Sequence, residues 1–350
     1  MMNPMTRQLE FKYSLTNCNK HSKNITSMEN KVIFHIDFDY FYAQCEEIRN
    51  SKLKTKPVAV CIFSDRGEDS GAIATANYKA REYGVKSGIP IKFAKSRLKD
   101  RKDAVFIPAD FEYYSKISIS GMEIIKSFAD IFDYVGRDEA YLDVTVKTNH
   151  NFETARHVAQ QLKNEIRKKL KMTCSIGVSP NKLLSKIGSD FEKPDGLTVI
   201  KPDYISEFLS QLDIRNIPGI GKKTESILAE SNCKKINDLL NMDVFELNSR
   251  FGRKTGTYIY NAARGIDLEI VKEKQPPLQY SKITTLKENS KNYEFLSTNL
   301  LNLCKQIHDI SIKNNKTFRT VSIQFVNEDL TIKTKSRTLK KSTNNLDELE

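Results

Sequence analysis

The length, charge and cysteine content of the sequence limit what this protein can be. Its 350 residues are enough for about two to four domains with substantial cores. Lys and Arg total 56 against 44 Asp and Glu, and the net charge of +12 favours polyanionic partners such as nucleic acid. A generally basic proteome is the alternative explanation. The six cysteines are scattered, which argues against a zinc site or a disulfide framework. No segment approaches the ~20 apolar residues that span a bilayer, so we expect no membrane contact and a cytoplasmic location.

Residues 1–30 are polar, rich in Asn, Ser and Lys, and show no periodicity. They lack the apolar segment of a signal peptide. We therefore predict a disordered N-terminal extension, or upstream sequence before a start at Met28.

Strand and helix patterns alternate from there to about residue 200. The predicted elements are strand 32–37, helix 40–50, strand 56–63, a hairpin of strands 131–135 and 140–146, helix 152–170 and strand 172–179. This order predicts an α+β sandwich, with helices packed on one face of a largely antiparallel sheet.

Beyond residue 200 the sequence becomes helical before it returns to a strand pattern. Residues 271–281 are charged, carry two prolines and lack periodicity, which predicts a linker. A helix follows, and its apolar face is formed by Leu296, Leu300, Leu303, Ile307 and Ile310. In the next strand, "RTVSIQF", alternation predicts inward side chains for Val321, Ile323 and Phe325.

Two acidic clusters lie where predicted strands end. Asp37 and Asp39 close the first strand, and Asp138 and Glu139 lie in the turn of the hairpin. Carboxylates that are brought together repel, and each raises the pKa of the others unless cations lie between them. Oxygen-only sites of this kind suit Mg²⁺, and two such ions ~4 Å apart support phosphoryl transfer. The alternative is that Asp-Glu in a turn is simply solvated.

A set of possible phosphate ligands lies between these clusters and just after the sheet. In "ATANYKAREYG" (74–84), Thr75, Tyr78 and Arg81 are three residues apart, so on a helix or turn they would point to one side. A hydroxyl, a phenol and a guanidinium suit a triphosphate. An ordinary amphipathic helix start is the alternative. Lys193 in "EKPDG" adds a cation, although K-P-D-G is also a common turn sequence.

The segment "PGIGKKT" is similar to a P-loop but departs from it at two positions. Asn216 stands where the first glycine of G-x-x-x-x-G-K-[ST] belongs, and Lys223 replaces the final Ser or Thr. A helix-hairpin-helix fits better. Its hairpin at Gly219 and Gly221 would point backbone N–H groups at a DNA phosphate, and Lys222 would add charge together with Lys223.

A basic stretch, "TIKTKSRTLKK" (331–341), follows near the C-terminus. Lys333, Lys335 and Arg337 alternate in it, so they would share one face of a strand. We predict that this face follows a DNA backbone. An edge strand protected by lysines is the alternative.

Five motifs together resemble one protein family. In chain order they read "IDFDYFYAQCEE", "GAIATANYKAREYGVKSGIP", "DEAYLD", "GVSPNKLLSKIGSDFEKPDG" and "IPGIGKKT". They resemble the DinB, or DNA polymerase IV, branch of the Y-family translesion DNA polymerases, and its archaeal members in particular. The match extends from about residue 31 to 345. It implies a low-fidelity, template-directed DNA polymerase that transfers dNMP from dNTP to a primer 3′-hydroxyl and releases pyrophosphate.

The resemblance also implies an α+β multidomain fold. It comprises a ferredoxin-like palm, fingers, a helical thumb containing the helix-hairpin-helix, and an α/β little finger. On this sequence the domains are the palm at 31–40 and 109–200, the fingers at 41–108, the thumb at 201–268, a linker at 269–281 and the little finger at 282–350. The family's little finger continues through a further helix and strand, so we expect a truncated one here.

The resemblance implies an active site with two Mg²⁺ ions. Their ligands would be Asp37, Asp138, Glu139 and the backbone carbonyl of Phe38. Asp39 is not usually a ligand in the family, so we expect a structural role for its carboxylate. Tyr42 occupies the position of the steric gate, an aromatic ring that excludes ribonucleotides.

Further positions match the nucleotide contacts of the family. The contacts to the incoming dNTP would be made by Phe41, Tyr42, Thr75, Tyr78, Arg81 and Lys193. The nascent base pair would be covered by Ile62, Gly71, Ala72 and Ala74. Small side chains there leave room over the template base, which suits damaged templates. For any one of them, plain packing is the alternative.

The sequence departs from the family just before the second acidic cluster. The family usually has Ser two residues before the metal-binding Asp, whereas this chain has Gly136, followed by Arg137. Glycine fits a tight hairpin turn because it accepts positive φ. We expect Arg137 to add a cation beside the metals.

The partners that the resemblance implies are primer-template DNA, dNTP, and a sliding clamp bound through a C-terminal segment that is not present here. We expect a monomer. A nucleotide cyclase with a similar palm is one alternative function, although a cyclase would need neither the helix-hairpin-helix nor the basic strand. A non-catalytic DNA-binding scaffold is the other.

Overall fold

The structure, a computed structural model, describes residues 31–64, 66–273 and 277–349. The predicted disordered extension lies outside the described residues, as does part of the predicted linker. Among the described residues, no helix is long and apolar enough to cross a membrane. Two compact units are present, one of residues 31–51 and 110–273 and one of residues 52–109 and 277–349. The predicted boundaries of palm, fingers, thumb and little finger stay predictions.

Strands and helices are numbered in chain order. The strands are β1 (Ile33–Phe38), β2 (Val58–Phe63), β3 (Gly71–Ala76), β4 (Val105–Pro108), β5 (Ile131–Tyr134), β6 (Glu139–Asp143), β7 (Cys174–Ser179), β8 (Leu197–Val199), β9 (Phe318–Val326) and β10 (Ile332–Thr343). The α-helices are α1 (Phe41–Arg49), α2 (Tyr78–Arg81), α3 (Ile91–Arg97), α4 (Phe111–Ser127), α5 (Phe152–Leu170), α6 (Lys182–Phe191), α7 (Ile205–Ser210), α8 (Lys222–Ala229), α9 (Val244–Phe251), α10 (Arg253–Ala263) and α11 (Tyr293–Lys313). Short 3-10 helices lie at Ser51–Thr55, Pro202–Tyr204, Ile214–Asn216 and Ile236–Asn241.

A five-stranded sheet in the order β5-β6-β1-β7-β8 forms the centre of the first unit. Strand β1 pairs antiparallel with both β6 and β7, whereas β7 and β8 are parallel. Phe34, Ile36 and Phe38 of β1 are buried in the core because every second side chain of the strand points to the same face. The α+β prediction is confirmed, and α5 has its predicted bounds.

Helices cover both faces of this sheet, not one as predicted. A Cβ on Gly121 of α4 would lie 2.7 Å from Phe38 Cζ, so α4 packs against the Phe38 face. Phe38 pairs with Cys174 of β7, so these two side chains share one face of the sheet. Side chains alternate between faces along a strand, and Gly177 is an odd number of residues after Cys174, so it lies on the opposite face. A Cβ on Gly177 would overlap the backbone of α6. Periodicity identifies a helix with an apolar face, but it does not say which side of a sheet the helix will cover.

Helix α6 also contributes to a second core in the first unit. Leu183, Leu184 and Ile187 of α6 are buried together with Leu228 of α8 and Ile259 of α10. The same helix therefore contacts the central sheet and the helical segment that follows it.

The "PGIGKKT" segment forms the turn before α8 and the first three residues of that helix. Gly219 has φ of +85°, a conformation that glycine adopts without strain, and Gly221 is the N-cap of α8. The hydroxyl of Tyr258 on α10 donates to the Pro218 carbonyl at 2.7 Å and holds the turn against the neighbouring helix. A Cβ on Gly221 would meet nothing within 4 Å, whereas one on Gly219 would meet Tyr258 Cε1 at 3.9 Å.

The second unit contains two separate sheets. In the first, β2 lies between antiparallel β3 and parallel β4, over a core that includes Ala59, Cys61 and Ile73. The second sheet is the antiparallel pair of β9 and β10.

The pairing of β9 with β10 corrects one prediction. In register order, the partners of Lys333, Lys335 and Arg337 are Phe325, Ile323 and Val321. Residues directly opposite each other in an antiparallel pair lie on the same face, so the basic and the apolar side chains share one face. The predicted inward position of Phe325 is wrong, because its side chain is 46% exposed. Alternation groups side chains by face but does not identify the face that is covered.

Gly177→Ala should destabilise the first unit by at least about 2–3 kcal/mol, because the new methyl group would lie 2.5 Å from Ser189 N, an immovable backbone atom of α6. Thermal unfolding of the purified variant measures this. Gly221→Ala is the matched control, since nothing lies within 4 Å of a Cβ there. Equal melting temperatures for the two variants would show that α6 does not pack this closely on β7.

Candidate active site

The pairing of β1 with β6 brings the two acidic clusters together. Asp37 lies directly opposite Glu139 in the antiparallel register. The backbone N–H of Phe38 donates to the Asp138 carbonyl at 2.8 Å, which fixes the hairpin turn to the end of β1. Opposite residues lie on the same face of a sheet, so the Asp37 and Glu139 side chains share one face.

Two lysines neutralise the charge of this cluster. Lys186 Nζ on α6 lies 2.9 Å from Glu139 Oε2 and 3.3 Å from Asp37 Oδ2. Lys193 Nζ lies 2.7 Å from Asp37 Oδ1 and 2.8 Å from Asp190 Oδ1. The carboxylates around Lys186 raise its pKa against the effect of burial, so it stays charged. Sequence analysis identified Lys193 but missed Lys186, because nothing in the sequence showed that α6 covers this face.

The neighbouring carboxyl groups of Asp138 and Glu139 have opposite pKa shifts. Burial, and after it the charges of Asp37 and Glu139, raise the pKa of Asp138 to about 6. The contact with His35, followed by the charge of Lys186, lowers the pKa of Glu139 to about 2. Asp138 is thus the carboxylate whose charge is least compensated by side chains of the protein.

His35 is a buried polar residue on the same face of β1. Its Nε2 lies 3.3 Å from Glu139 Oε2, and its Nδ1 lies 2.7 Å from Ser189 Oγ on α6. Burial lowers the pKa of His35, which favours the neutral ring. Sequence analysis missed this residue, although a histidine inside an apolar strand, "IFHID", is itself a signal of a polar partner.

Asp39 does not face the acidic cluster. Its buried carboxylate accepts hydrogen bonds from Ser175 Oγ at 2.7 Å and from the Asp195 backbone N–H at 2.9 Å. Asp195 also pairs with the buried ammonium of Lys163 at 2.9 Å. The carboxylate of Asp39 therefore has a structural role, as expected: it fixes the turn that carries Lys193.

The aromatic residues after the first aspartates begin helix α1. Tyr40 precedes the helix in a left-handed conformation, with φ of 35°. Phe41 is buried and its ring stacks on Phe38 at a centroid distance of 5.6 Å, whereas Tyr42 is half-buried. Tyr40 and Tyr42 therefore retain exposed surface, whereas Phe41 does not.

The other predicted nucleotide contacts lie in the second unit. Thr75 is in strand β3, whereas Tyr78 and Arg81 are in the short helix α2, so the three do not share one helix or turn as predicted. Asn77 accepts from the Ala80 N–H at 3.1 Å and starts the helix after Thr75. Arg81 Nε donates to the Ala76 carbonyl at 2.8 Å. Their contacts with a triphosphate stay a prediction.

The predicted cover of the base pair lies on strands β2 and β3. Ile62 pairs with Ala72 and is 48% exposed, and Ala74 is half-buried. Gly71 has φ of +127°, and a Cβ there would overlap the Ile62 carbonyl. Backbone geometry thus explains Gly71 without any role in base-pair binding, and the binding role of all four stays a prediction.

The turn before Asp138 differs from the expectation. Gly136 is not among the glycines with positive φ, so the turn does not require glycine for that reason. A Cβ at this position would meet Asp138 Oδ1 at 3.5 Å, an ordinary contact. The guanidinium of Arg137 lies over the Phe111 ring, 5.5 Å from its centroid, and not in an ion pair with the acidic cluster.

The donor atoms of the site are all oxygens, as Mg²⁺ requires. In the described part of the chain, however, no group of three or more His, Cys, Asp or Glu side chains is arranged to hold a metal ion as it stands. The ammonium groups of Lys186 and Lys193 contact the oxygens of Asp37 and Glu139 instead. The role of these residues as metal ligands stays a prediction.

Profiles of known families match three parts of the chain. Residues 36–190 match the impB/mucB/samB family, and residues 277–350 match the C-terminal domain of that family. Residues 215–267 match the thumb domain of DNA polymerase iota.

Curated relatives match nearly the whole chain. DNA polymerase IV of Nitrosopumilus maritimus is 62% identical over 323 residues, which cover 92% of this chain and 89% of the relative. DNA polymerase IV 1 of Methanosarcina mazei is 39% identical, with 89% and 86% covered. The chain belongs to the DNA polymerase IV, or DinB, branch of the Y-family DNA polymerases. It is a template-directed DNA polymerase of a family that acts in translesion synthesis, so the cyclase and scaffold alternatives are wrong.

Solved structures agree with this assignment. A Y-family polymerase chimera of Dbh and Dpo4 has a TM-score of 0.83 at 35% identity, with 90% of each chain covered. DinB from Sulfolobus solfataricus has a TM-score of 0.67 at 35% identity, with 90% of this chain and 89% of that chain covered. The predicted fold class, with palm, thumb and little finger, is confirmed for this polymerase.

Asp138→Asn should stabilise the metal-free polymerase at pH 7 but not at pH 4. The folded state raises the pKa of Asp138 from 3.8 to about 6, so the folded protein binds this proton more tightly than the unfolded chain does. The free energy of unfolding therefore falls by on the order of 3 kcal/mol as the pH rises through that window, and the amide removes this loss.

Urea unfolding in EDTA at both pH values measures the effect. The matched control is Asp203→Asn, whose side chain is exposed outside the cluster. If Asp138→Asn changes stability equally at pH 4 and pH 7, Asp138 does not carry uncompensated charge in the folded state.

Proposed function

We propose that this polymerase adds nucleotides at the cluster of Asp37, Asp138 and Glu139, with two Mg²⁺ ions. The observation that carries the proposal is the register of β1 and β6, which sets Asp37 opposite Glu139 and next to the turn with Asp138. Three carboxylates at two adjacent strand ends repel unless cations join them.

The residues present fit such a metal site. Y-family polymerases depend on divalent metal ions, and every side-chain donor here is a carboxylate oxygen. The raised pKa of Asp138 indicates charge that the nearby lysines do not fully compensate. When bound, the two ions would lower the pKa of the primer 3′-hydroxyl and neutralise charge on the leaving pyrophosphate.

Lys193 has a second role once substrate is present. Lys193 Nζ lies 2.7 Å from Asp37 and is held on a turn that Asp39 fixes. An ammonium group at the edge of the acidic cluster can contact both a carboxylate and a phosphate oxygen. We infer that Lys193 orients the triphosphate while the α-phosphorus gains its bond to the primer oxygen and loses its bond to the β-phosphate. For the second unit we propose phosphate contacts by Thr75, Tyr78 and Arg81.

Primer-template DNA and dNTP are the inferred partners. One similar solved structure is an insertion ternary complex of Dbh DNA polymerase, with a TM-score of 0.69. The turn before α8 supports DNA binding here, because Gly219 and Gly221 leave backbone N–H groups accessible beside Lys222 and Lys223.

The C-terminal hairpin supports the same function. Lys333, Lys335 and Arg337 are exposed on one face of β10. Phosphate contacts of this kind do not depend on base sequence, as a polymerase needs. The sliding clamp, the monomeric state and the cytoplasmic location stay predictions.

Asp138→Ala and Glu139→Ala should each reduce primer extension in Mg²⁺ by at least about a thousandfold, because each would remove a ligand of the metal site. Binding of the primer-template, followed by fluorescence anisotropy, should persist within a few-fold. Glu153→Ala is the matched control, since its carboxylate is exposed and pairs with Lys201 on the surface. Extension at the normal rate by either cluster variant would remove the metal assignment.

Tyr42→Ala should increase the use of ribonucleotides by roughly a hundredfold relative to deoxyribonucleotides, because the ring would no longer exclude the 2′-hydroxyl. Single-nucleotide incorporation with matched dNTP and rNTP gives the ratio of kcat/KM values. Tyr204→Ala, which removes an exposed ring outside the cluster, serves as control. Unchanged sugar discrimination would disprove the gate.

A further inference from the structure

Two aromatic side chains of helix α4 contact the Tyr42 ring and each other. Tyr114 stacks on it with a centroid distance of 4.8 Å and an interplanar angle of 21°. Phe111 meets it edge to face at 5.7 Å and 82°. Aromatic pairs at these distances attract each other beyond the effect of simple burial. The position of the Tyr42 ring is therefore fixed by residues seventy positions further along the chain.

Tyr114 is the rigid part of this support. Its side chain is fully buried, and its hydroxyl donates to Glu46 Oε1 at 2.7 Å. Glu46 lies one turn after Tyr42 on helix α1. Burial raises the pKa of Tyr114, so the phenol keeps its proton and the hydrogen bond. The hydrogen bond ties α4 to the helix that carries Tyr42.

Phe111 is different, because it is a large apolar residue at the surface. Its side chain is 37% exposed, and the Arg137 guanidinium lies over its ring at 5.5 Å. A guanidinium over an aromatic face is attracted to the ring. The Ser118 hydroxyl on α4 donates to the Arg137 carbonyl at 2.6 Å, so the backbone of Arg137 is fixed to the same helix. Phe111 is thus held between Arg137 and Tyr42.

These contacts form a continuous path from the acidic turn to the ring of Tyr42. Arg137 directly precedes Asp138, it covers Phe111, and Phe111 contacts Tyr42. A ring excludes a hydroxyl group only if it cannot rotate aside, since the extra volume is one atom. The edge-to-face contact with Phe111 restricts that rotation in addition to the stacking of Tyr114.

We propose that Phe111 and Arg137 are positioning residues that set the discrimination between deoxyribonucleotides and ribonucleotides by holding the ring of Tyr42 in place. The inference rests on the proposed role of Tyr42 as the gate. Neither residue is a catalytic residue, because each acts through the next one in the path.

The test is single-nucleotide incorporation by the full chain on a primer-template with template G, using dCTP and rCTP as probes. Phe111→Ala should raise the ratio of kcat/KM for rCTP over dCTP roughly tenfold, and Arg137→Gln should raise it about threefold. Phe111→Tyr retains the ring and should restore the ratio to within about twofold of the parent protein. A loss of general stability lowers both rates and leaves their ratio unchanged, so the ratio isolates positioning.

A double variant separates this inference from the gate itself. If Phe111 acts through Tyr42, adding Phe111→Ala to Tyr42→Ala leaves the ratio of Tyr42→Ala unchanged. A further increase in the double variant would show that Phe111 contacts the sugar directly and would overturn the inference. If Tyr42→Ala relaxes discrimination but Phe111→Ala does not, only the support is disproved. If Tyr42→Ala changes nothing, the gate fails, and the support fails with it.

Discussion

The repulsion among three carboxylates at the ends of two adjacent strands is the constraint on which this structure depends. Because β1 and β6 pair with Asp37 opposite Glu139, the carboxylates cannot separate without breaking the central sheet. Two cations neutralise this charge: Lys186 on α6 and Lys193 on the turn after it. The position of α6, packed on Gly177 and buried against the helical segment beyond, therefore follows from the electrostatics of the site as well as from its apolar face.

Local patterns predicted much of the fold. The amphipathic spacing of α5 gave its bounds, and the acidic turn between two strand-like runs gave the hairpin of β5 and β6, because both signals depend on neighbours in sequence. The approach of Asp37 to Glu139 also followed from strand ends. Lys186 could not be predicted, since its partners are 47 and 149 residues away and depend on the face that α6 covers.

The failures have a common physical cause. Sequence spacing predicted that Thr75 and Arg81 point to the same side of one helix or turn. Asn77 instead caps a helix that begins after the strand of Thr75, so the two residues lie in different elements. Alternation grouped the side chains of β9 and β10, but only the register showed that Phe325 shares a face with Lys333. Arg137 was expected beside the metals, yet it covers Phe111. Each error concerns the direction of a side chain, which tertiary contacts decide and local periodicity does not.

The central claim is that the lysine-neutralised cluster is the two-metal site of the polymerase. Anomalous diffraction from crystals grown with Mn²⁺, dNTP and a primer that lacks its 3′-hydroxyl tests it most directly. The account predicts two manganese peaks bound by Asp37, Asp138 and Glu139, with Lys186 displaced from Glu139. Manganese bound elsewhere, with Lys186 still paired to both Asp37 and Glu139, would contradict it.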